Sequence, residues 1–327
     1  MKNKVVIVDH REEGFEMEKK AFASYDAELM ICQCSDEDDL IKTVSDAQVI
    51  IFTSSKINAK VISRLKNCRM IIRYGIGLDN VDIKAASERG IYVCNTPEYG
   101  TFAVAEHAFA LMLGLNRKLI LLDHNVRNHI WGLESIIPVH SLRFKILGIV
   151  GFGNIGRHVS KMALSFDMKV IINDPYINNE TAKEYNVDSV SFDDLILNSD
   201  HISVHVPLNR ETKHLFDENV FRRMKKNATI INTSRGDVIN QDELIEALRS
   251  GQIAGAGLDV FPDEPVHQDN ELLTMNNVIL SPHVAWYSEE SIINLHREVV
   301  DNVTKVLRGE KPLNIVNDTS ITKKIEI

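Results

Sequence analysis

The first hundred residues alternate between short apolar runs and longer amphipathic stretches. Runs of this length without internal alternation are typical of parallel strands that are buried on both faces. The stretches between them place apolar residues at helical spacing. The pattern therefore predicts a parallel sheet with helices on both faces. Strands are predicted at 4–8, 28–32, 49–52, 70–73 and 91–94, with helices at 15–22, 36–44, 59–65 and 83–88.

The alternation resumes at residue 146, after a turn-rich break and a long apolar helix. The break at 95–100 contains Pro97 and Gly100 and marks a domain boundary. The helix is predicted over 102–126. Six further strands follow, which is the number found in two mononucleotide-binding halves. They are predicted at 146–150, 170–173, 202–206, 229–232, 255–260 and 278–281.

A final amphipathic helix is predicted over 289–308, and Gly309 is placed to end it. Its length and position predict that it crosses back onto the first sheet. The fold class is therefore α/β, with two doubly wound parallel-sheet domains. The predicted segments are 1–100 for the first part of one domain, 101–288 for the other, and 289–327 for the helix and tail that complete the first.

Three glycines spaced G-x-G-x-x-G lie between the strand predicted at 146–150 and a helical pattern. Gly151 allows a tight turn, Gly153 lets a pyrophosphate approach bare backbone, and Gly156 lets the helix pack closely on the strand. Free N–H groups at the start of the helix favour an anion there. The segment predicts a dinucleotide-binding Rossmann domain. Its predicted cofactor-binding residues are Gly151, Gly153, Asn154, Ile155 and Gly156.

A carboxylate at the end of the next predicted strand favours NAD over NADP. Asp174 can accept hydrogen bonds from a ribose diol, and its charge would repel a 2′-phosphate. Without the strand, the helix and this acid, the glycines could equally form a turn that serves packing alone. Together they predict an NAD site.

Three polar side chains, those of Arg235, Glu264 and His283, follow consecutive predicted strands at the carboxyl edge of this sheet. Oxidation of a 2-hydroxy acid needs a base for the hydroxyl proton while hydride leaves C2 for nicotinamide. His283 can be that base, because imidazole titrates near neutral pH. Glu264 can bind the other ring nitrogen, and Arg235 can hold a carboxylate in a forked pair. Asp263 is a rival for Glu264, and all three positions could instead belong to surface turns.

Composition narrows the possible partners. A net charge of −9 without a basic patch argues against direct binding of nucleic acid. The apolar helix at 102–126 carries charged residues, which argues against a membrane span.

The chain begins directly with a strand pattern, so no signal peptide is expected. Four cysteines lack zinc-ligand spacing, so no metal is predicted, and reduced thiols in a cytoplasmic protein are expected. These cysteines are Cys32, Cys34, Cys68 and Cys94.

These motifs together resemble the D-isomer-specific 2-hydroxyacid dehydrogenase family. The resemblance covers about residues 70 to 290 and includes the glycine loop and the segments 75–82, 104–107, 206–208, 232–236, 257–260, 264–265 and 282–283. It implies that Arg235, Glu264 and His283 are catalytic and that Asp259 binds the nicotinamide carboxamide. It also implies a discontinuous substrate domain and a homodimer built by the helix at 102–126. The further cofactor contacts that it implies are Val206, Pro207, Thr233, Ser234, Asp259 and His283.

Within the family, Arg73, Asp79-Asn80 and the run 283–289 resemble the branch that includes the C-terminal-binding-protein corepressors. In that branch the tryptophan lines the substrate pocket and the arginine approaches the ligand carboxylate. On pattern alone, Trp286 could equally be interface packing, and Arg73 could merely pair with an acid. The implied substrate-binding residues are Arg73, Gly75, Ile76, Gly77, Arg235 and Trp286.

The sequence thus predicts a cytoplasmic, NAD-dependent enzyme that transfers hydride between nicotinamide and C2 of a small 2-hydroxy or 2-oxo acid. The alternative is an NAD(H)-sensing interaction protein of the corepressor type that retains the active site. Among enzymes, 3-phosphoglycerate, phosphoerythronate and phosphite dehydrogenases stay open, because Lys56 and Arg73 are available to a phosphate.

Overall fold

The computed structural model describes residues 3–10, 14–134 and 136–317, and it divides into two compact units. The first unit comprises Met1–Gly100 and Ser288–Ile327, and the second comprises Thr101–Tyr287. The final ten residues, 318–327, which belong to the tail predicted above, lie outside the described residues.

The first unit contains a five-stranded parallel sheet in the order β2-β1-β3-β4-β5. This is the flavodoxin-like order, and it confirms the predicted fold class for this part of the chain. Its central strand, β3 (Val49–Phe52), is wholly apolar and buried, as expected of a parallel strand that helices cover on both faces. The strands are β1 (Asn3–Val8), β2 (Ala27–Cys32), β3 (Val49–Phe52), β4 (Met70–Arg73) and β5 (Tyr92–Cys94).

Helices alternate with these strands at nearly the predicted positions. Three of them begin one residue after an Asp or Asn whose side chain accepts the N–H of the third helical residue, as N-cap residues do. The helix predicted from 36 therefore begins at 37, since Asp36 is the cap. The helices are α1 (Glu16–Ala23), α2 (Glu37–Val44), α3 (Ala59–Arg64) and α4 (Ile83–Glu88).

The second unit contains a seven-stranded parallel sheet in the order β12-β11-β10-β9-β6-β7-β8. The chain starts near the centre and winds outward in both directions, which is the Rossmann arrangement. Six strands were predicted, and the additional one is β8, a two-residue edge strand of sequence Asp-Ser. It contains no apolar run from which a strand could be predicted. The strands are β6 (Ile146–Val150), β7 (Lys169–Asn173), β8 (Asp188–Ser189), β9 (His201–Val204), β10 (Thr229–Asn232), β11 (Gly255–Leu258) and β12 (Val278–Leu280).

The single helix predicted over 102–126 is wrong, because the structure has two helices there. The first, α5 (Thr101–Asn116), ends before Lys118, which adopts a φ of +55°. A residue in the left-handed region cannot continue the right-handed helical ladder, so a new helix, α6 (Leu119–Arg127), starts afterwards. The remaining helices are α7 (Asn154–Ser165), α8 (Asn179–Glu184), α9 (Phe192–Asn198), α10 (Glu218–Arg223) and α11 (Gln241–Arg249).

The final helix, α12 (Glu289–Leu307), belongs to the first unit. It packs on α1, and its apolar face joins the core beneath β1. Glu18 on α1 is fully buried and accepts a hydrogen bond of 2.8 Å from the Tyr74 hydroxyl. Its same oxygen lies 2.6 Å from Nδ1 of His296 on α12, so a polar contact also links the two helices.

Among the described residues, no helix is long and apolar enough to cross a membrane.

Candidate active site

The glycine loop between β6 and α7 has the shape of a phosphate cradle. A Cβ on Gly151 would lie 2.7 Å from the carbonyl oxygen of His205, and one on Gly156 would lie 2.4 Å from that of Gly151. Both positions therefore require glycine for close packing. A Cβ on Gly153 would meet nothing within 4 Å, so its backbone faces open space. A pyrophosphate needs such a bare backbone surface at the start of a helix.

Asp174 lies at the mouth of this loop, directly after β7. One carboxylate oxygen accepts the N–H of Phe152 at 2.7 Å, and the other accepts the N–H of Tyr176 at 2.8 Å. Each oxygen has a second lone pair for a hydroxyl donor. The structure thus brings the predicted ribose acid beside the predicted phosphate loop.

The segment after β9 borders the same loop, and the segment after β10 follows the neighbouring strand of the sheet. The side chain of Val206 approaches Gly151, and the Ser234 hydroxyl donates to Asn232 Oδ1 at 2.8 Å. The Thr233 hydroxyl oxygen is buried without a hydrogen-bond partner among the described residues. Burying a hydroxyl without a partner is unfavourable, so this group fits a site that a polar cofactor completes. The other predicted residue of this border, Pro207, follows Val206 directly.

Glu264 and His283 form a close pair at the carboxyl edge of the sheet. Nδ1 of His283 lies 2.7 Å from Glu264 Oε2, and both side chains are 36 % exposed. Burial raises the pKa of Glu264, but hydrogen bonds from His283 and from the Phe261 N–H, with the charges of His283 and Arg235, outweigh it and lower the pKa. Glu264 is therefore a carboxylate at neutral pH, and Arg235 is close enough to act on it. The Arg235 guanidinium also donates to the Ser234 carbonyl at 2.7 Å.

The turn that carries His283 has an unusual backbone. His283 adopts a φ of +54°, a region that non-glycine residues occupy only when their surroundings hold them there. Its N–H donates to the carbonyl of Asp259 at 2.8 Å, and its own carbonyl accepts the Trp286 indole N–H at 2.9 Å. Trp286 thus braces the turn from one side, with its ring edge-on to Tyr287 at 5.8 Å.

Asp259 also holds this turn, through its carboxylate, and this role was not predicted from the sequence. It is 1 % exposed, and its carboxylate accepts the Ser281 hydroxyl at 2.6 Å, the Val284 N–H at 3.0 Å and the Ala285 N–H at 2.9 Å. The implied contact of Asp259 with the nicotinamide carboxamide stays a prediction. His107 on α5 reaches the same cluster, since its Nε2 lies 2.8 Å from the Ser281 hydroxyl oxygen.

The remaining predicted substrate residues belong to the first unit. Arg73 donates from Nε to the Thr53 carbonyl at 3.0 Å and from its guanidinium to the Gly77 carbonyl, so it braces the 75–77 loop. Gly75 has a φ of +138°, and Ile76 is exposed. Their contact with a substrate stays a prediction. Across the described residues of both units, no group of three or more His, Cys, Asp or Glu side chains could hold a metal ion.

Comparison with known proteins gives concordant matches. The family model for the D-isomer specific 2-hydroxyacid dehydrogenase, NAD binding domain, matches residues 109–285. Glyoxylate reductase of Korarchaeum cryptofilum is 39 % identical over 283 residues, which are 85 % of each chain. D-3-phosphoglycerate dehydrogenase of Archaeoglobus fulgidus is 37 % identical over 285 residues, which are 87 % of this chain. This chain spans only about half of that relative, since the match covers 54 % of its length.

A solved structure is similar over almost the whole chain. The crystal structure of D-lactate dehydrogenase from Aquifex aeolicus, complexed with NAD and lactic acid, has a TM-score of 0.85 and 30 % identity. The match covers 94 % of this chain and 96 % of that one.

Nicotinamide chemistry needs a dinucleotide site next to a group that can move a proton, and the second unit has both. The protein is therefore an NAD-dependent oxidoreductase that acts on a CH–OH group. More particularly, the chain belongs to the D-isomer specific 2-hydroxyacid dehydrogenase family. The relatives described above are named as enzymes, so the interaction-protein alternative is not favoured.

Proposed function

We propose that this protein reduces a small 2-oxo acid, of the glyoxylate or hydroxypyruvate type, to the D-2-hydroxy acid with NADH. The observation that carries the proposal is the Glu264–His283 pair at 2.7 Å, at the carboxyl edge of the dinucleotide-binding sheet. Glyoxylate reductases that match over 85 % of both chains support this substrate class.

The bound cofactor would be held by the 151–156 loop, by Asp174 at the ribose and by Thr233 at the border of the site. NADH supplies the hydride that C2 accepts. Val206, Pro207 and Ser234 would complete the pocket wall. The charge of Asp174 supports NAD over NADP, since a 2′-phosphate would meet a carboxylate.

His283 is the proposed proton donor to the C2 oxygen during reduction and the base in the reverse direction. Its Nδ1 is engaged by Glu264 at 2.7 Å, which leaves Nε2 for the substrate. The Glu264 carboxylate fixes the orientation of the ring and stabilises the imidazolium. Arg235 would bind the substrate carboxylate with two parallel N–H groups and polarise the C2 carbonyl.

A homodimer in the cytoplasm is part of the proposal. Beyond α5, a continuous stretch exposes large apolar side chains, which supports an interface with a second copy. A cavity of about 640 Å³ lies between α6 and the amino ends of β9 to β12, where partner side chains could insert. Four free cysteines support a reducing compartment. The exposed apolar residues are Leu119, Ile120, Val126, Ile130, Trp131, Leu133, Ile137 and Phe144.

The test is His283→Ala, assayed by NADH absorbance with glyoxylate, hydroxypyruvate, pyruvate and phosphohydroxypyruvate. Loss of the proton donor is expected to lower kcat by at least about 100-fold. NADH affinity, measured by fluorescence titration, is expected to stay within about twofold, since the glycine loop is untouched. An unchanged kcat would reject the function, and a preference for the phosphorylated acid would redirect the substrate class.

A further inference from the structure

The turn that carries His283 is anchored to α5 by a chain of side-chain hydrogen bonds. Nε2 of His107 lies 2.8 Å from the Ser281 hydroxyl oxygen and 3.6 Å from Asp259 Oδ1. The Ser281 hydroxyl in turn lies 2.6 Å from Asp259 Oδ1. His107 is far along the chain from this turn, and the function proposed above gives it no part.

The directions of these hydrogen bonds follow from the number of protons. Both oxygens of Asp259 accept backbone N–H groups, so the carboxylate acts as an acceptor. Ser281 has one hydroxyl hydrogen, which must therefore go to Asp259. The Ser281 oxygen then accepts from His107, whose Nε2 carries a hydrogen. The result is a directed chain from His107 through Ser281 to Asp259, in which each bond polarises the next.

Asp259 connects this chain to the turn itself. Its carboxylate holds the N–H groups of Val284 and Ala285, and its backbone carbonyl accepts the His283 N–H at 2.8 Å. The left-handed φ of His283 needs such support from its surroundings. If the Asp259 carboxylate were held less firmly, the turn could relax. The His283 imidazole would then leave the orientation that proton transfer to the substrate requires.

We propose that His107 is a positioning residue that fixes the direction of the His283 imidazole through Ser281 and Asp259. The inference rests on the proposed function of His283. It predicts that His107 affects turnover without touching substrate or cofactor.

The test compares His107→Leu, which removes the N–H donor, with His107→Gln, which keeps an N–H donor at similar reach. The assay uses the 2-oxo acid that the unmutated chain reduces with the highest kcat/KM. There His107→Leu should lower kcat about tenfold, while KM and NADH affinity stay within about twofold of the values for the unmutated chain. His107→Gln should restore most of the loss. The matched control is His267→Gln at an exposed histidine of the same unit, which should keep the activity of the unmutated chain.

A double variant separates positioning from general damage. In the His283→Ala background, His107→Leu should cause no further fall in kcat, because its effect passes through the imidazole. A further tenfold fall, or an unchanged kcat in the single variant, would overturn the inference. If His107→Leu does not fold, Ser281→Ala breaks the same chain and should show the same tenfold loss; an unchanged kcat there would also overturn it.

The activities of the variants distinguish failure of the proposed reductase function from failure of the positioning role of His107. An unmutated chain that reduces no 2-oxo acid, or a fully active His283→Ala, overturns the function and this inference together. An inactive His283→Ala beside a fully active His107→Leu overturns this inference alone.

Discussion

Glu264 shows how the surroundings of one carboxylate set the pH range of a site. Its pKa is lowered because two hydrogen bonds and nearby positive charge outweigh burial. A group with a lowered folded pKa stabilises the fold above its unfolded pKa, and this contribution is lost as pH falls through the folded value.

We therefore expect Glu264→Gln to lower the melting temperature at neutral pH by a small amount and to have no effect in acid. The size stays modest, since the side chain is 36 % exposed and solvent screens the pair. Thermal unfolding of both proteins across a pH series measures the difference. A gap that widens towards acid would contradict this account.

The ribose role proposed for Asp174 predicts which cofactor the site prefers. Asp174→Asn keeps the shape and an acceptor but removes the charge that would repel a 2′-phosphate. The ratio of kcat/KM for NADH over NADPH is expected to fall by about tenfold or more, as loss of a charged contact does. The control is Asp188→Asn on the edge strand β8, whose ratio should not change. An unchanged ratio in Asp174→Asn would count against the ribose role.

The sequence predicted Arg235, Glu264 and His283 as a group because the carboxyl ends of parallel strands share one edge. Nδ1 of His283 lies 2.7 Å from Glu264, the charge of Arg235 acts on Glu264, and their catalytic roles stay proposals. The supporting Asp259–Ser281 contact was not predictable, since it depends on the path of the turn at 281–285. The contact of His107 required the packing of α5, which no local pattern encodes.

At the scale of elements, apolar runs located eleven of the twelve strands found in the described residues to within a few positions, because buried parallel strands have few polar positions. The exception, β8, is two polar residues at a sheet edge. The break between α5 and α6 was also missed. Arg117 and Lys118 are good helix formers, so a left-handed backbone at Lys118 leaves no trace in the side-chain pattern.

Lys118→Gly tests that break. A left-handed φ is unfavourable for lysine but costs glycine nothing. The extra entropy of glycine in the unfolded chain offsets part of this gain, so the variant should raise the free energy of unfolding by about 0.5 to 1 kcal/mol. Lys118→Val should be destabilised, because β-branched residues resist this conformation. Urea denaturation measures both. Equal destabilisation by glycine and valine would show that the backbone at 118 is not left-handed in solution.

At the scale of the whole molecule, the proposed homodimer depends on the apolar surface beyond α5. Trp131 is 89 % exposed within it, so Trp131→Glu is expected to convert a dimer into monomers, as measured by light scattering. Tyr176 is equally exposed, at 89 %, on another part of the second unit, and Tyr176→Glu should leave the mass unchanged. A monomeric unmutated chain would contradict the dimer, and dissociation of both variants would place the interface elsewhere.

The discontinuity of the first unit has a consequence for biosynthesis. On the ribosome, α1 emerges more than two hundred and fifty residues before α12, an interval of roughly 10 to 50 s at ordinary elongation rates. Until then α12 cannot pack on the apolar face beneath β1, and the Glu18 carboxylate has no contact with the imidazole of His296. The second unit is continuous and can complete its own core first. Nascent chains should therefore depend on chaperones for their amino-terminal sheet until the last helix has been translated.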